Sequence, residues 1–480
     1  MTFRNAIPVF IFFLFHISLK SQTFQWVNAI GGTGDDRAIT TATDKYENIY
    51  LSGFFNNTAD FDPDTTTFNL TSNGNEDFFV AKYNANGKLI WANGFGSSGL
   101  EKGLAIDIDS YSNIYIAGIF SGTVDFDPDT SSFSLTANGE DGFIAKYDST
   151  GKFIWAKKIG GSQNDETRRL KLDNQNYIYI GGTFQSQLNF SINNVNQTIS
   201  SNGSKDFFIS KMDSSGNIKW LKSIGGSGTD RVNFLKPDYF GNLFVTGLFS
   251  NTVDFNPGST QNLQSSNGST DIFVLKLDTS GDFKWVRTAG GFGSESASAL
   301  TITLKKDIVT VGTFSNTVDF NPGSGVKSIS SNGSRDAFIQ KLDSNGNFVW
   351  IKKYGGSSFD GAGTITSDSA GHLYIGGGFG NTVDFNPGAS TMNLTAQGTV
   401  DAVILKLDSS GSFQWVKQFK SSVIMNSNSL NLINDSILTL TGSFEGTANF
   451  DSSTNNIPSK GNRDIFIVKI FQCDTLHDTL

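Results

Sequence analysis

Carboxylates recur along this chain at a fixed interval. Asp36, Glu101, Asp165, Asp230, Glu295 and Asp360 stand 65, 64, 65, 65 and 65 residues apart, and the seventh position holds Met425. Set around one axis, six such groups would form a cation-attracting ligand ring. A chosen pair could supply the acid and base of glycoside cleavage. Each could instead hydrogen-bond the backbone of its Gly-rich turn, and that reading is favoured, since recurrence in every repeat suggests architecture. Two further clusters sit in the phrase "DFDPDT". Asp60, Asp62 and Asp64, like Asp125, Asp127 and Asp129, offer alternating oxygens suited to calcium. No bidentate glutamate follows at EF-hand spacing. Elsewhere the phrase becomes "DFNPG", which keeps a turn while losing ligands, so a capped turn is the favoured reading.

Nucleophilic and zinc chemistry find little material. The three histidines, His16, His372 and His477, are far apart, and the one cysteine is Cys473. No Ser–His–Asp, Cys–His or zinc set can be assembled from them. Catalytic residues are therefore expected to be none, and so are cofactors, calcium aside. Arg168 and Arg169 raise an anion pocket, with Arg37 and Arg231 nearby in the ring. Pairing with the acidic residues is the favoured alternative.

The carboxylate interval belongs to a repeat. Trp26, Trp91, Trp155, Trp220, Trp285, Trp350 and Trp415 keep the same step, and they are every tryptophan in the chain. An aspartate (Asp77, Asp141, Asp206, Asp271, Asp336, Asp401, Asp464) recurs with a lysine five residues later. A period of this length marks a propeller or a solenoid. The second copy contains four short runs, "GLAIDID", "NIYIAGIF", "DGFIAKYD" and "KFIWAKKIG", rich in β-branched and aromatic residues and bounded by turn formers. No sustained 3.6-residue apolar period follows the N-terminal run. Four antiparallel strands repeated seven times predict an all-β fold, a seven-bladed β-propeller.

The phase of the repeat predicts how it closes. The first tryptophan segment precedes any complete unit, and the last unit lacks one. The N-terminal strand should therefore complete the last blade and remove the free edges. The tryptophans read as structural wedges between blades. A "LDSSG" turn would place Lys406 and Trp415 as diagonal neighbours, the lysine over the indole for about 0.5–1 kcal/mol. The long stretch between the second and third strands, about residues 55–77 in the first copy, is expected to hold a short hairpin.

Across 480 residues the net charge is -9, which argues against nucleic acid and anionic lipid as partners. The opening "MTFRNAIPVFIFFLFHISLKSQ" carries Arg4 and an apolar run too short to span a bilayer, as a secretory leader does. The expected organisation is a signal peptide at 1–21, a propeller at 22–470 and a short tail at 471–480. The product is expected to be secreted or at the cell surface, monomeric and without a transmembrane segment.

The segments "GNLFVTGLFSNTVDFNPG", "DIFVLKLDTSGDFKW" and "IGGSGTD" resemble the SBBP repeat of secreted bacterial seven-bladed propellers. That resemblance covers roughly residues 23–470 and implies export and a propeller, with no assigned chemistry. The phrase "AKYDSTGKFIW" is also similar to the tryptophan-docking motif of quinoprotein propellers, one residue short in its Asp-to-Gly interval. The segments "GGTGDDRAI" and "GGSGTDRVN" match the nonapeptide of calcium β-rolls but are not in tandem, so they read as inter-blade turns. The leading expectation is a non-catalytic binding or adhesion scaffold for a protein or glycan, met on the face bearing the long loops. The alternative is a polysaccharide hydrolase or lyase with carboxylates at the channel mouth.

Overall fold

The structure, a computed structural model, describes residues 22–129, 131–192, 195–451 and 456–472. The expected leader at 1–21, His16, Cys473, His477 and the end of the tail lie outside the described residues. Seven four-stranded antiparallel sheets follow one another, and their innermost strands pack in a ring whose seventh member meets the first. In the first blade the strands, from axis to rim, are Arg37–Thr43, Ile49–Phe55, Asp77–Tyr83 and Leu89–Phe95. The seventh is built from Ile424–Ile433, Ile437–Glu445, Asp464–Gln472 and the N-terminal Gln22–Gly32. Trp26 lies opposite Lys469 and Ala29 opposite Phe466, so the first strand of the chain closes the ring as the repeat phase predicts. Among the described residues there is no helix, and none long and apolar enough to cross a membrane.

Burial follows position in the blade. The second strand of the first blade, Ile49–Phe55, is buried at every residue because neighbouring blades cover both its faces. Such strands read as near-continuous apolar runs. Outermost strands face solvent on one side and alternate: in Phe283–Gly291, Lys284 is exposed while Val286 is buried. The core therefore sits between blades rather than at the axis, as in the cluster uniting Phe78 and Phe95 with Phe126 and Phe143 of the next blade. Phenylalanine is abundant because one edge-to-face pair recurs. Phe55–Phe61, Phe120–Phe126, Phe249–Phe255, Phe314–Phe320, Phe379–Phe385 and Phe444–Phe450 all meet at nearly right angles. Such a pair adds about 0.5–1.5 kcal/mol beyond its area.

The long connection does form a hairpin, Thr58–Asp60 with Asn69–Thr71 in the first copy. It is annexed by the preceding blade: Asp60 pairs with Gly31 and Ala59 with Gly32 of the seventh blade's rim strand. The same pairing joins Asp254 to Gly225 and Asp319 to Gly290. Blades two, three, four, six and seven thus carry a piece of the next blade as an extra edge, while the sheets of blades one and five end at their rim strands. At Gly32 no side chain fits, since a Cβ there would collide with the Thr58 carbonyl.

Candidate functional site

The six recurring carboxylates are placed at the inter-blade turns and are fully buried. Asp36 accepts hydrogen bonds from the Gly32 N–H at 2.7 Å and the Asn56 N–H at 3.2 Å. Asp165 binds the N–H groups of Gly161 and Gln185, Asp230 those of Gly226 and Ser250, and Asp360 those of Gly356 and Gly380. Glu101 takes Ser97 N–H and Oγ–H, and Glu295 takes the Gly291 N–H. These oxygens hold turns together in place of facing a solvent-filled mouth.

A second carboxylate faces each of them across the seam. Gly31 shows the geometry: a Cβ there would lie 2.8 Å from Asp464 Oδ1 and 2.9 Å from Asp36 Oδ2. Burial pushes Asp36, Asp165 and Glu295 up to about 7 and Asp230 to about 6, against the backbone N–H groups, with the facing aspartate adding to the rise. In the partner column, Asp77, Asp141, Asp206, Asp271, Asp336 and Asp464 each keep a buried Oδ1 with no hydrogen-bond partner. The seventh seam is a built-in comparison. Met425 stands there in place of the second acid, and Asp401 Oδ1 accepts the Ser421 N–H at 3.1 Å. Where a second acid is present it takes that N–H itself. The empty acceptor on Asp77, Asp206, Asp271 and Asp464, beside a carboxylate of raised proton affinity, suits one proton shared by each of those couples. Asp141 and Asp336 instead meet Lys158 at 3.1 Å and Lys353 at 3.3 Å through Oδ2.

The aspartate clusters proposed for calcium are occupied by their own backbone. Asp60 Oδ1 accepts the Asp62 and Phe68 N–H groups, and Asp62 accepts the Asp64 N–H and the Thr66 hydroxyl. Asp125 and Asp127 repeat the arrangement with Asp127, Phe133, Asp129 and Ser131. Asp254 and Asn256 form the same turn with an amide in place of one acid. Among the described residues no group of three or more metal-ligating side chains converges.

Trp26, Trp155 and Trp220 clasp the following blade through a hydrogen bond, while Trp91 Nε1 is buried without a partner. Trp26 Nε1 donates to the Ala85 carbonyl at 3.3 Å, Trp155 to Ser214 at 3.3 Å and Trp220 to Thr279 at 3.0 Å. These carbonyls belong to the turn between the next blade's third and rim strands. The paired lysine reaches the same turn: Lys82 donates to Ser149 O at 3.1 Å and Lys146 to Ser214 O at 3.3 Å. The expected cation–indole stack is corrected. A register shift after Lys406 sets Trp415 directly opposite rather than diagonal, and the ammonium lies 5.0 Å over Tyr374. Lys82, Lys146 and Lys211 stand likewise over Tyr50, Tyr115 and Tyr179.

His372 lies in the turn between the first two strands of the sixth blade, its Nδ1 2.7 Å from Asp368 Oδ2. That aspartate also caps the turn, accepting the His372 N–H and the Tyr374 hydroxyl. The pair is thus built into a turn. Sequence reasoning missed the exposed residues on equivalent turns. Tyr46 and Tyr111 (blades one and two), Tyr239 and Phe240 (blade four) and Leu304 (blade five) are at least 60% exposed. A large aromatic at the tip of an Asx-capped turn was the available signal, because the turn itself needs none.

This strand order, ring closure and turn chemistry define a seven-bladed β-propeller, and proteins similar to it include WD-repeat chains. No protein-family model matches. The chain is 24% identical over 446 residues to an uncharacterized WD repeat-containing protein of Acanthamoeba polyphaga mimivirus, covering 77% of this chain and 32% of that protein. It is 27% identical over 120 residues to the regulatory protein FlaEY of Caulobacter vibrioides, covering 25% of this chain and 13% of that one. It thus matches less than a third of the length of either relative. Among solved structures, Sqt1 from Chaetomium thermophilum shares 9% identity at a TM-score of 0.39, with 94% of this chain and all of that one covered. The WD40 domain of Neurospora crassa Pan2 shares 11% identity at a TM-score of 0.29, with 71% of this chain and 86% of that one covered. Neither structural likeness carries an argument about function.

Proposed function

We propose that the chain is an exported, non-catalytic binding scaffold of the SBBP propeller type, engaging a protein or glycan partner. The observation that carries this reading is the division of its polar groups. The repeated carboxylates are consumed by turns and seams, while tyrosine and phenylalanine stand exposed at turn tips on three blades. Exposed aromatics are common anchors at interfaces because they bring large contact area with few rotors. The leader-like N-terminus and the acidic charge support export and a partner other than nucleic acid. The contact face is the one carrying Tyr46, Tyr111, Tyr239 and Phe240 rather than the long-loop face, where five of the connections are spent as hairpins on the preceding sheet.

Glycan and peptide arrays probed with the purified chain from residue 22 test the proposal. Selective binding that weakens in a Tyr111→Ala, Phe240→Ala double variant is the expected result. Binding to neither array, or binding indifferent to the double variant, would overturn the corresponding part of the reading.

A further inference from the structure

The innermost strands distribute charge unevenly. Those of blades three and four, Glu166–Leu172 and Arg231–Pro237, carry Arg168, Arg169, Lys171, Arg231 and Lys236 against Glu166 alone. Those of blades five to seven, Ser296–Ile302, Gly361–Ser367 and Ile424–Ile433, carry no charged residue. The axial cavity between these walls has a volume of about 240 Å³. Arg169, Lys171 and Lys236 line one side, hydroxyls and amides such as Thr364, Thr366 and Asn428 line the other, and no carboxylate is among the lining residues. The chain as a whole is acidic, so this positive interior is a local feature.

Neutralisation inside the cluster is incomplete. Glu166 pairs with Arg168 at 2.6 Å and Asp107 with Lys171 at 3.6 Å. Among the described residues no carboxylate lies within ion-pair distance of Arg169, Arg231 or Lys236. Lys236 donates to Thr301 Oγ1 at 3.2 Å, and Arg169 donates to the backbone carbonyls of Asn233 and Arg168. The Nε atoms of Arg168 and Arg231 are buried without a partner. Burial, then the neighbouring cations, lower Lys236 to about 8 and Arg169 to about 9. Clustered cations with spare donors and too few anions are costly unless a counterion is supplied.

We propose that the axial channel binds a small, multiply charged oxyanion between Arg169, Lys171 and Lys236 on one wall and the hydroxyl and amide wall of blades five to seven. Guanidinium forks suit carboxylate or phosphate oxygens, and the facing hydroxyls would accept or donate to the remainder of the ligand. The cavity has room for phosphate or a short polycarboxylate. This site is independent of the binding-scaffold reading, which concerns the outer face.

The test is calorimetry and thermal unfolding of the purified chain from residue 22, with inorganic phosphate and with citrate. Sodium chloride at equal ionic strength and glycerol are the comparisons. One saturable site for either oxyanion, with affinity falling about tenfold or more in Lys236→Met and in Arg169→Gln, is expected. The phosphate and citrate arms distinguish the two oxyanion classes. Exposed Lys219→Gln should bind as the parent does. Without ligand, Lys236→Met should be at least as stable as the parent, because it removes an under-neutralised charge; a folded variant therefore remains available for titration. Stabilisation no greater than with chloride, or equal affinity in parent and Lys236→Met, would overturn the proposal.

Discussion

The carboxylate couples make stability depend on pH in a direction opposite to the usual case. Consider Asp36→Asn at the seam between the seventh and first blades. In the folded chain the carboxyl of Asp36 is raised from 3.8 to about 7, first by burial and then by facing Asp464 and adjacent Asp35. The shift of about 3 units corresponds to roughly 4 kcal/mol between its limiting protonation states. Because the folded state holds the proton more tightly than the unfolded one, the contribution is complete below about pH 4. It is lost as pH rises through about 7. From pH 5 to pH 8 the loss amounts to roughly 2–3 kcal/mol for this one group.

Asparagine at position 36 is neutral throughout. Its carbonyl can still accept the Gly32 N–H, while the Asn56 N–H loses the acceptor it has in the parent, at a cost of about 1 kcal/mol that does not vary with pH. Urea unfolding of parent and variant at pH 5, 6, 7 and 8 is the assay. The variant should match the parent within about 1 kcal/mol at pH 5 and gain on it steadily, by roughly 2 kcal/mol or more at pH 8. Parallel profiles for the two proteins across this range would show that Asp36 is ionised in the fold at pH 5. That result would remove the shared-proton account of the seams.

Three further outcomes follow from the clasps and the closure. Gly281→Ala should lower stability by about 1–3 kcal/mol in urea unfolding, since φ is +77° and the new Cβ would lie 2.8 Å from Trp220 Cδ2. Trp220→Phe, which deletes the indole donor to Thr279, should cost about 1 kcal/mol by the same measurement. Removing Gln22–Gly32 should expose the edge of Asp464–Gln472; a lower, broader thermal transition with aggregates on size exclusion is expected, and an unchanged monomeric melt would contradict closure.

Much of the architecture was legible because the repeat is strict. Trp26 lacked a preceding unit and the last unit lacked a tryptophan, so closure followed from counting. The Gly-rich turns with a following acid also announced their own capping. What sequence could not supply was depth. Whether Asp36 faces solvent depends on Asp464, nearly the whole chain away, and on the glycine that lets both approach. The lysine stack was misassigned for a local reason: the register shift beside Lys406 moves its partner by one residue, and Tyr374 belongs to a strand whose alignment the hairpin alone does not reveal. Lys171 and Lys236 escaped notice because strand alternation tells inward from outward only once the axis is located.

The seventh seam connects these strands of reasoning. There the chain departs from its repeat: Lys420 and Ser421 replace the glycine pair, Met425 replaces the second acid, and Gln418 donates to Asp401 at 2.8 Å. Removing one carboxylate was accompanied by a partner for the oxygen left empty at the other seams, since Asp401 Oδ1 takes the Ser421 N–H. Asp401 Oδ2 accepts from Gln418 as Asp336 Oδ2 does from Lys353. If the couples were surface acids spaced for a cation, a lost acid would call for no such rearrangement. Coordinated change at Lys420, Ser421 and Met425 is the behaviour of a buried polar unit whose acceptors must be filled. It explains why the carboxylates keep the repeat period without lining the channel, and why the groups that depart from the period, on the inner strands of blades three and four, are where a ligand is to be sought.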